Sequence, residues 1–215
     1  MPNYVNAKNM MIETIIRHDA YSYTNTPEIS KKTLQAMRNV NRHEFVPETY
    51  QKSAYEDRAM SIGYGQTISQ PYIVALMCNI LELNKKSKVL EVGTGCGYHS
   101  AVLSELAAHV YTMEVVPELA IIAESNLMNF NNAHVHQGNG NSGLPEFAPF
   151  DAISVAAAAE TIPQALLHQL APKGRMVIPI GPLGAAQTLT LIEKSQNGNV
   201  KKTAILSVIF VPFIS

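Results

Sequence analysis

The string Glu91-Val92-Gly93-Thr94-Gly95-Cys96-Gly97 carries the clearest chemistry in this sequence. Glycines between a strand and a helix let the backbone turn sharply and approach a ligand closely, and the helix start offers free N–H groups. A nucleotide-like ligand is implied. The spacing is G-x-G-x-G, not the G-x-G-x-x-G of dinucleotide sites, and Glu91 stands just ahead of the first glycine. A carboxylate there would repel a pyrophosphate but suits the cationic amino-acid end of S-adenosylmethionine. Glu114 closes a second strand, where it can accept hydrogen bonds from both ribose hydroxyls. Gly138-Asn139-Gly140 ends a third strand, close to where an adenine would lie. A glycine-rich turn alone would fit a structural turn, an NAD site or another nucleotide site. Three strand ends in this order favour S-adenosylmethionine.

A second constellation is Gly65-Gln66-Thr67-Ile68-Ser69-Gln70-Pro71, at the mouth of a helix that ends near Leu83. Ser69 precedes Pro71 by two residues, as an N-cap does, and uncapped amides with the helix dipole would attract a carboxylate. A well-capped helix alone would explain the serine and proline. The two glycines and two hydroxyl residues ahead of them are poor core material and good material for a loop against a ligand.

The elements that must position these residues are legible from periodicity. Lys88 to Val92 reads as a strand and Tyr98 to Ala108 as a helix, followed by a strand at Val110 to Val115 and an amphipathic helix after Pro117. Ala133 to Gln137, Asp151 to Val155 and Arg175 to Ile180 are further strands, with a helix at about Pro163 to Leu170. Right-handed crossovers make this an α/β fold, a doubly wound Rossmann-like sheet that is mostly parallel. Thr188 to Glu193 and Lys202 to Phe213 flank the turn signal Gln196-Asn197-Gly198-Asn199, so the sheet should end in antiparallel C-terminal strands. Helical patterns at about Ala7 to Arg17, Ser30 to Val40 and Pro71 to Leu83 surround the segment Ser61 to Ser69, which reads as a glycine-rich loop. The expected organisation is one domain over 1–215: a helical N-terminal extension with the substrate loop at 1–84, a cofactor core at 85–186, and C-terminal strands at 187–215.

Composition narrows the function classes. Hydrophobic residues make up 47% of the 215 and charged residues 15%, which excludes a disordered chain. The 16 Lys+Arg against 17 Asp+Glu leave a formal net charge of -1, with no electrostatic basis for a nucleic-acid coat or a polybasic membrane patch. Cys78 and Cys96 form no CxxC pair, and no apolar leader or spanning segment is read, so an untargeted cytoplasmic protein without a disulfide framework is expected. His134 and His136 share one strand face without a third ligand at metal spacing, so no metal is expected. Ser142-Gly143 lacks the G-x-S-x-G elbow of an α/β-hydrolase. His43 and Phe45 read as packing in the extension, and Asp57 as an acid that fixes the glycine-rich loop by hydrogen bonds.

From about Met11 to Phe213 the sequence resembles the protein-L-isoaspartate O-methyltransferase family, within the class I S-adenosylmethionine-dependent methyltransferases. The resemblance rests on Arg42-His43-Glu44-Phe45-Val46-Pro47, Ala54-Tyr55-Glu56-Asp57, the run from Ile62 through Gln66-Thr67-Ile68-Ser69-Gln70-Pro71, Glu91-Val92-Gly93-Thr94-Gly95, Pro149-Phe150-Asp151-Ala152-Ile153 and Phe210-Val211-Pro212. By resemblance, Ser69 matches the active-site serine. Ile62, Gly63, Gln66, Thr67, Ile68, Ser69, Ala158 and Val211 fall on substrate positions. Thr67, Ser69, Glu91, Gly93, Thr94, Gly95, Glu114, Val115, Gly138, Asn139 and Gly140 fall on cofactor positions. The resemblance implies methyl transfer from S-adenosylmethionine, with S-adenosylhomocysteine as product, to the free α-carboxylate of isoaspartyl residues in damaged proteins and peptides. It also implies a monomer. Three departures stand out: Asn139 replaces a usual Asp, Glu160 replaces a usual Pro after Ala157-Ala158-Ala159, and His99 stands where Gln is common. They leave open a carboxyl methyltransferase with another peptide or small-molecule substrate, or a weakened paralogue that binds cofactor or damaged peptide.

Overall fold

Alternate residues of the central strands face opposite ways, and here both faces are apolar, so the sheet must be covered on both sides. The computed structural model describes residues 4–21 and 26–213. Its helices are α1 (Tyr4–Tyr21), α2 (Lys31–Asn39), α3 (Pro71–Ile80), α4 (Tyr98–Ser104), α5 (Pro117–Asn126) and α6 (Gln164–Gln169). Its strands are β1 (Met60–Gly63), β2 (Gln66–Ile68), β3 (Lys88–Val92), β4 (His109–Glu114), β5 (Ala133–Gln137), β6 (Phe150–Val155), β7 (Leu170–Ile180), β8 (Gln187–Lys194) and β9 (Val200–Val208).

Seven strands form one sheet in the order β5-β4-β3-β6-β7-β8-β9. The first five are mutually parallel, and β8 and β9 run antiparallel to their neighbours. The expected α/β architecture with antiparallel C-terminal strands is present. Val89, Val110, Ala152 and Val177 face one layer and share a buried cluster with Met11, Met37, Leu76 and Leu103 of the helices. The N-terminal helices therefore close the core of the sheet itself. Leu90, Met113, Ile153 and Ile178 face the other layer with Leu166 of α6.

Besides shifted ends, among them β7 starting at Leu170 and not Arg175, three differences from the sequence reading bear on the site. The glycine-rich segment before Ser69 is a small hairpin, β1 against β2, turned through Tyr64 and Gly65 at φ 53 and 71. Its strands are three and four residues long, too short for alternation to stand out. Ser69 is not an N-cap. Gln70 occupies that position without a side-chain bond, and Asp57 Oδ1 accepts the Tyr72 N–H at 2.9 Å instead. The last strand stops at Val208 and not at Phe213. There the Phe210 N–H donates to the Gln187 side-chain oxygen at 2.9 Å, and the chain leaves β8 for Ala158. Ala158 N–H donates to Val211 O at 2.8 Å, and Phe213 N–H donates to Ala158 O at 2.9 Å. Pro212 has no N–H to extend a ladder, and this crossing carries Val211 to the carboxyl end of β6.

Asn79 on α3 ties the N-terminal layer together. Its amide oxygen accepts from Ser30 N–H at 2.9 Å and Thr33 Oγ1 at 3.2 Å, and its amide nitrogen donates to Glu28 O at 3.0 Å. Replacing it by alanine strands buried polar groups, so Asn79→Ala should lower unfolding free energy by about 2–3 kcal/mol. Urea unfolding followed by circular dichroism measures this, and a change below about 0.5 kcal/mol would refute the tie.

Candidate active site

In an open parallel sheet the crevice forms where neighbouring strands send their connections in opposite directions. Here β3 leads to β4 on one side, and its other neighbour β6 leads to β7 on the far side. The last rung between them is Ala156 N–H to Val92 O at 2.8 Å. Beyond it the chain turns at Gly93, φ +94, and enters α4 at Gly97, φ +88, where a Cβ would meet Leu127 at 3.1 Å. A side chain at either position is strained. The Gly93 and Thr94 N–H groups donate to Met113 O at 2.9 and 3.1 Å, and Gly95 N–H donates to Glu114 Oε2 at 2.7 Å. Val116 N–H donates to the other Glu114 oxygen at 3.0 Å. The Glu114 carboxylate is thus held by two backbone amides and retains lone pairs for two further donors.

The resulting cleft and the solvent at its mouth make up about 800 Å³ of empty space. Gly93, Thr94, Gly95, Glu114, Val115, Gly138 and Gly140 line it together with Gln66, Thr67, Ile68, Ser69 and Val211. A second, open groove meets it, and the two share Thr67, Ser69, Ala156 and Val211.

Two remote side chains hold Ser69 at that junction. Asp57 Oδ2 accepts from the Gln70 side chain at 2.8 Å and lies 3.1 Å from His18 Nε2, while its other oxygen takes Tyr72 N–H. Arg42 has no solvent exposure. Its guanidinium donates to Ser69 O at 2.7 Å and Ala54 O at 2.8 Å and lies 4.7 Å over the Tyr98 ring. Arg42 was legible only as part of a motif, because its partner is 27 residues away in the chain. His43 stacks on Tyr4 with ring centroids 3.7 Å apart, and Phe45 packs edge-on to Tyr98 at 5.6 Å.

Several site expectations land elsewhere. Glu91 does not reach the cleft wall. Its carboxylate is wholly enclosed, accepting from Ser100 Oγ and from Thr112 Oγ1 at 2.7 Å, with His99 Nδ1 3.4 Å from its second oxygen. A strand residue next to Val92, which does face the cleft, must point to the opposite side of the sheet. Ile62 packs against the glycine turn, and Gly63 sits exposed in the hairpin. The Asn139 side chain accepts from Asn141 N–H at 2.9 Å, capping a short turn. Ala158 is buried and offers its backbone to Val211 and Phe213. Cys96, Tyr98, His99, Ala156, Ala157, Pro212 and Phe213 line the cleft without having been singled out as site residues. In the sequence Cys96, Ala157 and Pro212 appear only within motifs, and His99 as a departure in the helix after the glycine turn. Glu160 is exposed, and His136 is half-buried against Phe147 with centroids 5.1 Å apart.

Burial sets the electrostatics. It pushes the Cys96 thiol up to about 11, so no thiolate nucleophile is available in the cleft wall. It raises the Glu91 carboxyl to about 7, against the opposing pull of its Ser100 and Thr112 hydrogen bonds, and lowers the His99 imidazole to about 4. The raised carboxyl value means that Glu91 contributes stability present below pH 4.5 and lost as pH rises through about 7. His99 has the opposite sign, its contribution present above pH 6.5 and lost as pH falls through about 4. Relative to the unaltered chain, Glu91→Gln should therefore gain about 2–3 kcal/mol between about pH 5 and about pH 8. Paired urea melts at the two pH values measure the gain, and a pH-independent difference contradicts an enclosed titrating carboxyl.

With this geometry in hand, known proteins offer a comparison. The family model described as protein-L-isoaspartate(D-aspartate) O-methyltransferase matches residues 9–215. A protein-L-isoaspartate O-methyltransferase 2 of Archaeoglobus fulgidus is 49% identical over 189 residues, covering 86% of this chain and 85% of that one. Its namesake from a Polaromonas species is 45% identical over 201 residues, covering 93% of this chain and 95% of that one. Among solved structures, a protein-L-isoaspartate O-methyltransferase superposes with a TM-score of 0.81 at 27% identity, over 95% of this chain and 65% of that one, just under two thirds of its length. A Plasmodium falciparum structure of the same description, in complex with S-adenosyl-L-homocysteine, has a TM-score of 0.80 at 24% identity, over 100% and 99% of the two chains. The match spans the Arg42 segment, the Ser69 hairpin, the glycine turn and the C-terminal crossing alike, and the chain belongs to the protein-L-isoaspartate(D-aspartate) O-methyltransferase family.

Proposed function

We propose that this chain transfers a methyl group from S-adenosylmethionine to the free α-carboxylate of L-isoaspartyl residues in damaged proteins and peptides, starting repair through a succinimide. The observation that carries the proposal is the junction at Ser69, where a cleft lined by the glycine turn and Glu114 meets an open groove of a kind that suits a peptide. Family membership supports it. The glycine turn, the amide-held Glu114 carboxylate and the Gly138 to Gly140 turn suit S-adenosylmethionine, which when bound supplies a methyl group on a sulfonium. On this reading the product is S-adenosylhomocysteine, and the protein acts as a cytoplasmic monomer that needs no metal, nucleic acid or membrane. Among the described residues no helix is long and apolar enough to cross a membrane.

The substrate carboxylate is ionised at neutral pH, so the chain need not supply a strong base. Its task is orientation and exclusion of water. The Ser69 hydroxyl can donate to one carboxylate oxygen, and Arg42 behind it fixes the Ser69 carbonyl and hence the loop. Neither Lys, Arg, Asp nor Glu is found among the groove-lining residues. The nucleophile is therefore neither repelled nor neutralised by a basic clamp. The segment Ile209 to Val211, free of β8 after Gln187 takes Phe210 N–H, offers extended backbone along the groove to a lengthened peptide chain.

Pure protein incubated with labelled S-adenosylmethionine and paired Asp and isoAsp peptides should form base-labile methyl ester on the isoAsp peptide alone. Equal labelling of both, or cofactor binding without labelling, would sink the proposal. Ser69→Ala should lower kcat/KM for the isoAsp peptide by about 10- to 100-fold while S-adenosylhomocysteine affinity, by calorimetry, stays within about threefold. A comparable loss in both would place Ser69 in cofactor binding only. Arg42→Lys should destabilise the fold by about 2–4 kcal/mol, read by urea unfolding, because an ammonium cannot span both carbonyls.

A further inference from the structure

Two buried polar atoms beside the cleft have no hydrogen-bond partner: Nε2 of His99 and Oε1 of Glu91. Native interiors leave few such atoms, and of the two only His99 belongs to the wall of the cleft, where an unpartnered ring nitrogen points to a ligand. His99 is 8% exposed and lines the cleft, and its Nδ1 lies 3.4 Å from Glu91 Oε1. One ring nitrogen thus faces the enclosed carboxylate, and the other is the one left for the cleft.

We propose that His99 Nε2 accepts a hydrogen bond from the ammonium group of S-adenosylmethionine, so that the Glu91 charge acts on the cofactor through the imidazole. The inference rests on the methyl donor named above and assigns one end of it to a residue outside the expected site. Glu91 lies too deep to touch the cofactor, because two hydroxyls and the His99 ring enclose it. Where Glu91 is ionised, above its raised value of about 7, the carboxylate beside Nδ1 holds the imidazole proton there and leaves the Nε2 lone pair free. The burial that keeps the ring neutral preserves that lone pair at neutral pH. Glu114 and the Gly138 to Gly140 turn suit ribose and adenine, so the amino-acid end belongs toward the glycine turn, where His99 follows Gly97 and Tyr98. The cation there meets an acceptor nitrogen backed by a carboxylate, the arrangement in which a neutral imidazole binds a donor best.

Calorimetry with three ligands tests the assignment. S-adenosylhomocysteine carries both amine and carboxylate, its aminopropylthio analogue keeps the amine and lacks the carboxylate, and 5′-methylthioadenosine lacks both. His99→Ala should weaken the first two about tenfold or more and leave the third within about twofold. His99→Gln, whose amide oxygen can also accept, should recover most of the loss. Equal weakening of all three ligands, or of none, overturns the proposal. A loss confined to the carboxylate-bearing ligand overturns it too, by showing that Nε2 serves the carboxylate. If His99→Ala does not fold, the unaltered chain decides: the His99 Nε2 nitrogen resonance should shift with the two amine ligands and stay with 5′-methylthioadenosine. Failure of the unaltered chain to bind any of the three would instead remove the methyl-donor reading itself.

Discussion

Arg42 is a positive charge without solvent exposure, and the site is arranged around what that burial requires. A desolvated guanidinium is tolerated only where carbonyls or an aromatic face replace water. Ala54 O, Ser69 O and the Tyr98 ring do so here, and each belongs to a different part of the molecule. Ala54 follows the short helical turns after α2, Ser69 ends the hairpin, and Tyr98 opens the helix behind the glycine turn. Holding one buried cation, whose Nη1 is left without a hydrogen-bond partner, therefore joins the N-terminal layer, the Ser69 hairpin and the helix after the glycine turn in a single geometry. Asp57 reinforces the same corner by capping α3 and holding Gln70.

Charge is then removed from the place where chemistry is proposed and stored just behind it. The residues lining the groove include no Lys, Arg, Asp or Glu, and the deepest carboxyl of the cleft region, Glu91, is sealed by Ser100, Thr112 and His99. A carboxylate nucleophile beside a basic clamp would be over-stabilised, and one beside an acid would be repelled. Hydroxyls and amides orient without either penalty. The near-neutral surface of the chain suits the same purpose, since an enzyme that meets many unrelated damaged proteins gains nothing from favouring one sign of charge.

The strands of the sheet and its antiparallel end were readable in the sequence because period and punctuation are local. Ala133 to Gln137 and Lys88 to Val92 appear as strands at the boundaries read. The glycine turn, Glu114 and the Gly138 to Gly140 turn come together because parallel strands deliver their carboxyl ends to one edge. The hairpin before Ser69 escaped because three- and four-residue strands carry too few alternations to register. Ser69 escaped as a cap misassigned, since the true acceptor, Asp57, lies 15 residues from Tyr72.

What the sequence determined alone is the architecture and the family, each a matter of residue type and short-range spacing. Only the tertiary structure decided which way the side chains point and which distant groups hold them. Glu91 turned from a ligand into a buried support because adjacent residues of a strand must face opposite sides, and Val92 takes the cleft side. His99 entered the wall because the turn at Gly97 sets the phase of α4. Val211 reached Ala158 because Gln187, 23 residues before Phe210, replaces a strand partner and frees the chain to cross. Such outcomes follow from packing and from the need to satisfy buried polar groups across long sequence distances, where local pattern carries no signal.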